Sequence, residues 1–334
     1  MTWLLKVRLF KPISGRVWNA NPVSELHPFQ GEVLAELIRN GVVESVHAGH
    51  LVALASDGSV SLSKGDISLP IFPRSTVKSI QASAMVRAGL RLPPKLLALA
   101  ASSHSGSQAH LDAVLEILAS AGLAENDLLN ATDKPLGESE RLAWGSAAPT
   151  RLAMNCSGKH AAMLATCVIN GWDIKSYLEM DHPLQLAILR EIESLANQSV
   201  TNKTFDGCGA PLFAISTIGL AQAVRSITIS SDPIHQEVLS ACRQFPEMVA
   251  GEGRLTTRMM QGVPGLFMKD GAEGVNIASM PDGRTLVFKI ADGSLRSFGV
   301  IIQAVLKQWG ITTPHEAVDV YGGAAVVGGI RAVI

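Results

Sequence analysis

The feature that most constrains this chain is where its strand patterns fall: near both ends, with helical patterns between. Residues 46–70, "VHAGHLVALASDGSVSLSKGDISLP", alternate apolar and polar positions about an Asp57-Gly58 turn and read as a β-hairpin. Toward the other end, "GLFMKDGAEGVNIASM" and "RTLVFKIADGSLRSFGV" read as strand, turn and strand, followed by the helix "VIIQAVLKQWG". Between them, "RSTVKSIQASAMVRAGL" reads as a helix ending at Gly89. "LLALAASSHSGSQAHLDAVLEILASAGL" reads as an apolar run, a Ser/Gly-rich break and a helix closed by Gly122. Further helices are expected after "NCSGKH", "DHPLQ" and "DGCGAP", the last with Pro211 at its first position, and through "DPIHQEVLSACRQF". This order predicts an α/β (α+β sandwich) class, with a mixed or antiparallel sheet built from both chain ends and helices on both faces. No repeat or linker divides residues 1–334, so a single catalytic unit is expected, with room for two interleaved subdomains.

A chain of 334 residues that is 47% hydrophobic can bury a large core. Its formal charge of −1 supplies no electrostatic footprint for nucleic acid or an anionic membrane surface. No uninterrupted apolar run is long enough to span a bilayer. "MTWLLKVRLFKP" carries lysines and an arginine inside its apolar run, unlike a secretory signal, so a cytoplasmic location is expected. Cys156, Cys167, Cys208 and Cys242 are then expected as thiols, the second and fourth simply core residues in apolar helix patterns.

Ser75 and Lys78 stand three apart at a helix start, on one face, where a lysine able to lose its proton could act as base to the serine. Ser-x-x-Lys is the nucleophile motif of penicillin-binding proteins and serine β-lactamases. About one such pairing arises by chance in a chain this rich in serine, so alone Ser75 reads more readily as a helix cap than as a nucleophile. Ser61 and Lys64 form another in the hairpin, where a solvated charge is the simpler reading. "SSHSGS" could add Ser103 or Ser105 to a site, although Ser105 with Gln108 also makes a capping box. "MKDG" could add Lys269 at a strand end, or be a hairpin turn with an exposed lysine. Cys156, Lys159 and His160 lie one turn apart at another helix start, and Cys208 sits between two glycines. Three readings of these stay open: a Cys156–His160 nucleophilic pair, a small zinc site, or buried small residues in tight turns.

Taken in order, "FPRSTVKSIQ", "SSHSG", "NCSGKHAAML", "DGCGAP", "VAGEGR" and "KDGAEGV" resemble the asparaginase II family, from about residue 12 to the C-terminus. These are the Ser-Lys L-asparaginases, unrelated to the Thr-dependent bacterial type. The resemblance implies a fold similar to serine β-lactamases and glutaminases, and hydrolysis of L-asparagine to L-aspartate and ammonia. It implies a first Ser-Lys tandem of Ser75 with Lys78 and a second of Ser103 with Lys269. Arg74, Asp206, His160 and Asn155 are the implied substrate-binding residues, with Asp206 expected on the α-amino group and Arg74 on the carboxylate side. Cys156, Lys159 and Cys208 match an auxiliary zinc site in which a neutral lysine amine is a ligand, and homodimers are common in the family. The chain departs from the pattern at Ser107, where an acidic residue is frequent. It departs again at "NATDKPLGESE", where a Cys-Gly-x-His-x-Pro segment is usual, and at Thr256, where aspartate is common.

The expected chemistry is attack by Ser75 on the amide carbon with Lys78 as base, and proton relay by Ser103 and Lys269. Backbone N–H groups near Ser75 are expected to hold the oxyanion. The rivals are glutamine or a β-lactam as substrate, a zinc-dependent hydrolase or zinc-bearing binding protein, and an inactive amino-acid binder.

Overall fold

The computed structural model describes residues 31–200 and 202–334; the N-terminal stretch discussed above lies outside them. The first strands are β1 Glu32–Arg39, β2 Val42–Leu54, β3 Val60–Lys64 and β4 Pro70–Ile71. In mid-chain come β5 Lys203–Phe205, β6 Pro211–Phe213 and β7 Ile215–Ser216. The last are β8 Phe267–Gly271, β9 Val275–Ser279, β10 Thr285–Ile290, β11 Asp319–Gly322 and β12 Ala325–Ala332. The helices are α1 Lys78–Arg87, α2 Pro94–Ala100, α3 Gln108–Ser120, α4 Glu138–Trp144, α5 Ser157–Asn170 and α6 Pro183–Ala196. They continue with α7 Thr217–Ile229, α8 Pro233–Gln244, α9 Pro246–Val249, α10 Leu255–Gly262 and α11 Phe298–Gln308.

One antiparallel sheet runs β11-β12-β1-β2-β10-β9-β8, with β3 added beside the end of β2. Strands from the two chain ends meet at its centre, where β2 pairs with β10 from Thr285↔Leu54 to Ile290↔Gly49. Both faces are covered, and two contacts on opposite faces show by what. Ser279 lies opposite Thr285 in the register, and its hydroxyl meets that of Thr228 on α7 at 2.8 Å. Phe288 points the other way, because side chains alternate along a strand. Its ring meets Phe298 of α11 edge-on, with centroids 5.0 Å apart. Lys269, two residues beyond Phe267 (itself paired with Ser279), therefore projects to the α7 side, into the helical layer.

That layer is built around α1, "KSIQASAMVR", of which every residue but Arg87 is buried. Its small residues Ala82, Ser83 and Ala84 let α2, α5, α6 and α8 pack close. The polar start of α1 is thus carried to the middle of the molecule. No helix among the described residues is long and apolar enough to cross a membrane.

One local expectation is corrected and two alternatives are ruled out. "DGCGAP" leads into a strand, not a helix: Asp206 N–H donates to Ala210 O at 2.8 Å, which closes a turn between β5 and β6. Gly209 takes φ +91° in that turn, a conformation open to glycine. The next helix, α7, starts only at Thr217, where Ser216 Oγ accepts from Gly219 N–H at 3.0 Å. Ser105 caps nothing; α3 starts after Ser107, and Ser105 Oγ donates to Glu140 Oε1 at 3.0 Å. Lys269 is not exposed at a turn, but 1% accessible.

Candidate active site

Three stretches far apart in sequence converge at the start of α1. Arg74–Val77 forms one tight helical turn leading into α1, and it carries Ser75. Gly271 at the end of β8 lies against this turn: a Cβ there would meet Pro73 O at 3.1 Å, so glycine allows the close approach. The "SSHSG" loop enters from the end of α2, pinned where Ser103 N–H donates to Val249 O at 2.9 Å and His104 N–H to Asn155 O at 3.1 Å. Ser75 and Ser103 line one cavity of about 190 Å³, together with Asn155, Arg254, Asp270 and Leu136.

Lys78 is buried beneath this cavity. Its Nζ donates to Ser103 Oγ at 3.0 Å, to Cys156 Sγ at 3.0 Å and to the Ser102 carbonyl. Among the described residues no hydrogen bond joins Lys78 to Ser75 or Lys269 to Ser103, so neither tandem is hydrogen-bonded as the resemblance pairs it. Helical spacing puts Lys78 on the same side as Ser75, but the hydrogen bonds of its Nζ go to Ser102, Ser103 and Cys156.

Lys269 Nζ donates to Asp270 Oδ1 at 3.0 Å and to Asp270 O at 2.6 Å. Burial, with Lys78 and Arg254 nearby, pushes its pKa down to about 8 against the pull of Asp270. Burial alone would raise the Asp270 carboxyl, but Lys269 and Arg254 outweigh it and hold the group ionised. Arg254 Nη2 donates to Asp270 Oδ2 at 2.7 Å and Nη1 to the Ser103 carbonyl at 2.6 Å; Thr256 Oγ1 donates to Asp270 Oδ1 at 3.1 Å. Arg254, Asp270 and Thr256 were not singled out as site residues from sequence. The signal was there: "VAGEGR" is among the ordered motifs, and Asp270 directly follows Lys269.

Arg74 and Asp206 pair with each other, Nε to Oδ1 at 2.8 Å. Arg74 takes φ +53°, which costs about 1–3 kcal/mol in a residue with a Cβ and is held by this ion pair. Burial works to raise the Asp206 carboxyl, yet Lys159 and Arg74 prevail and lower it. Arg74 faces a neighbouring groove of about 500 Å³ rather than the serine cavity. Asn155 does reach the serine cavity; His160 does not. His160 is fully buried, its Nδ1 is 2.8 Å from the Tyr177 hydroxyl, and burial drives its pKa well down. No side-chain hydrogen bond joins His160 to Cys156, so the Cys–His nucleophilic pair is not formed.

Cys156, Cys208 and Lys159 do come together, all buried. Lys159 Nζ donates to Cys208 Sγ at 3.3 Å. Hydrogen bonding between the two sulfurs pushes Cys208 well below the usual thiol range, aided by Lys159, and together with burial raises Cys156 against the pull of Lys78 and Lys159. Burial opposes a charge on Lys159, but Cys208, Cys156 and Asp206 raise its pKa on balance. Two sulfurs and an amine match, in kind, the zinc donors that the resemblance implies. No group of three or more His, Cys, Asp or Glu side chains able to hold a metal occurs among the described residues. Cys167 and Cys242 are buried and free, as expected of core thiols.

A search of curated proteins finds no match to the chain. Among solved structures, a β-lactamase from Mycobacterium bovis is 17% identical with a TM-score of 0.44, covering 78% of this chain and 94% of its own. A protein from Bacteroides dorei, provisionally described as a β-lactamase, is 14% identical with a TM-score of 0.43, covering 75% of this chain and 86% of its own. The model of the L-asparaginase II family matches residues 35–329, nearly the whole chain and every segment that builds the cavity. The protein therefore belongs to the L-asparaginase II family.

Proposed function

We propose that the protein hydrolyses the side-chain amide of L-asparagine to L-aspartate and ammonia through an acyl-enzyme on Ser75. The observation that carries this reading is the single small cavity on which both serines open, with buried lysines behind them. At about 190 Å³ it lies below the roughly 300–1,000 Å³ usual for drug-sized ligands. That favours a small amino-acid amide over a β-lactam.

Ser75 Oγ attacks the amide carbon, and its proton passes through the Ser103 hydroxyl to Lys78, which is already in contact with it. The proton returns to the leaving nitrogen as ammonia departs and the ester forms. Water then attacks the ester with Lys269 as base, which regenerates Ser75 and releases aspartate. The N–H groups at the start of the Arg74–Val77 turn are the donors for the oxyanion. For Arg74 and Asp206 to meet the charged head of the substrate, as the resemblance implies, the substrate has to extend from the serine cavity toward the neighbouring groove that Arg74 faces. Zinc, when bound by Cys156, Cys208 and Lys159, would balance the charge of the two thiolates and cross-link the floor beneath Lys78. Nothing in the sequence of steps passes through it.

The test is ammonia release by purified protein from L-asparagine, L-glutamine and, by colour, nitrocefin, each compared as kcat/KM. Preference for asparagine and loss of turnover in Ser75→Ala are expected. Nitrocefin as the better substrate, or wild-type turnover by Ser75→Ala, would overturn the proposal.

A further inference from the structure

Arg254 closes the "VAGEGR" motif just before α10, with no role assigned to it from sequence, yet it touches both halves of the site. Its Nη1 holds the Ser103 carbonyl at 2.6 Å and the Ala250 carbonyl at 3.2 Å, which fixes the loop carrying one reacting hydroxyl. Its Nη2 holds Asp270 Oδ2 at 2.7 Å, while Lys269 holds Oδ1 of the same carboxylate at 3.0 Å. One carboxylate is thus divided between an arginine and a lysine. Only a planar fork with several fixed donors makes these contacts at once.

We propose that Arg254 is a positioning residue of the reaction, tying the Ser103 backbone to Asp270 and thereby setting both the place of Ser103 and the electrostatic surroundings of Lys269. The proposal rests on the amide-hydrolase reading above for its kinetic consequences, but its structural core does not. The charged and titratable groups facing Lys269 are Asp270 on its own strand, Lys78 from α1, Arg254, and the Cys242 thiol of α8. Arg254 and Lys78 oppose a charge on Lys269, and Asp270 favours it. Removing the arginine charge therefore acts twice in one direction. It deletes a repelling cation and leaves Lys269 as the one cation on Asp270, beside the neutral Thr256 hydroxyl, so Lys269 holds its proton to higher pH.

The experiment compares wild type with Arg254→Gln, Arg254→Met as a second neutral form, and Arg254→Lys. Thermal melts show which are folded. Two quantities are read: the ascending limb of kcat against pH, and the titration of Lys269 followed by NMR of 13Cε-labelled lysine, assigned with Lys269→Met. In the neutral variants both are expected to move up by about one pH unit. In Arg254→Lys both stay near the wild-type position while kcat falls about tenfold or more, because one ammonium cannot hold both partners in register. A purely structural role lowers the rate in all three variants without moving the titration, and that result overturns the proposal. An equal upward shift in Arg254→Lys overturns it too. If wild type releases ammonia from no amide, the functional reading falls, and the Lys269 titration still decides the role of Arg254.

Discussion

Lys78 Nζ lies 3.0 Å from Ser103 Oγ, so the lysine of the first Ser-x-x-Lys is hydrogen-bonded to the serine of a different segment. The two serines consequently have separable tasks. Ser75→Ala is expected to reduce kcat by at least about three orders of magnitude, since it removes the group that is acylated. Ser103→Ala is expected to lose roughly 10²–10⁴-fold, the range for one proton-transfer group. Mass spectrometry of quenched reactions should show an adduct on Ser75 alone. An adduct on Ser103, or wild-type turnover in Ser103→Ala, would reverse the assignment.

Lys269 is held down to a pKa of about 8, chiefly by burial. If it is the base for ester hydrolysis, kcat should rise with pH and level off above about 8, and Lys269→Met should abolish that limb. The same shift gives a sign for stability. Between about 8 and its ordinary value of 10.5 the unfolded lysine binds more proton than the folded one, so this group makes stability rise with pH across that window. A stopped-flow pH profile of deacylation measures the first effect and urea unfolding the second.

Asp270 is the counter-charge to both Arg254 and Lys269. Asp270→Asn leaves two cations with a neutral partner and is expected to lower stability by about 3–5 kcal/mol, the cost of breaking a buried pair. Its carboxyl is depressed in the fold, so the contribution is complete above the unfolded value near ~4 and is lost as pH falls below it. Chemical denaturation at neutral and acid pH checks both statements. An Asp270→Asn protein as stable as wild type would mean that the pair is dispensable.

Zinc, if bound by Cys156, Cys208 and Lys159, should be lost from Cys208→Ser and also from Lys159→Met. A site made of the thiols alone would be spared by the lysine change. Elemental analysis of protein purified with zinc supplied reads occupancy directly, without any assay of activity. Full zinc occupancy in Lys159→Met would remove the lysine from the ligand set.

Much of the fold was legible because its signals are local. The Asp57-Gly58 hairpin, the strand pair around Lys269 and the helices from Lys78, Gln108, Ser157 and Pro233 all follow from alternation, helical spacing and turn residues. Strands β1 and β12 escaped. "EVLAELIR" carries helix-forming residues, and "AVVGGIRA" holds two glycines that weaken a strand pattern. What makes them strands is pairing with each other and with β2, a contact between the chain ends. "DGCGAP" misled because Pro211 suits a helix start and a strand start equally well, and the choice was made by pairing with Lys203–Phe205.

By itself the sequence determined which chemical groups were available and roughly in what order. Two serines, three lysines, two cysteines and an arginine–aspartate set, on recognisable short motifs, were enough to place the chain in its family. Only the tertiary structure decided who partners whom. Ser75 and Lys78 are neighbours on the chain, yet Lys78 reaches Ser103, because a buried polar nitrogen goes to the partners that the packed layers bring within reach. Asp270 has its neighbour Lys269 in the sequence, and its second partner, Arg254, sits sixteen positions earlier on a separate element. Hydrogen bonds and ion pairs act over about 3 Å, a range at which sequence spacing beyond one helical turn carries no information.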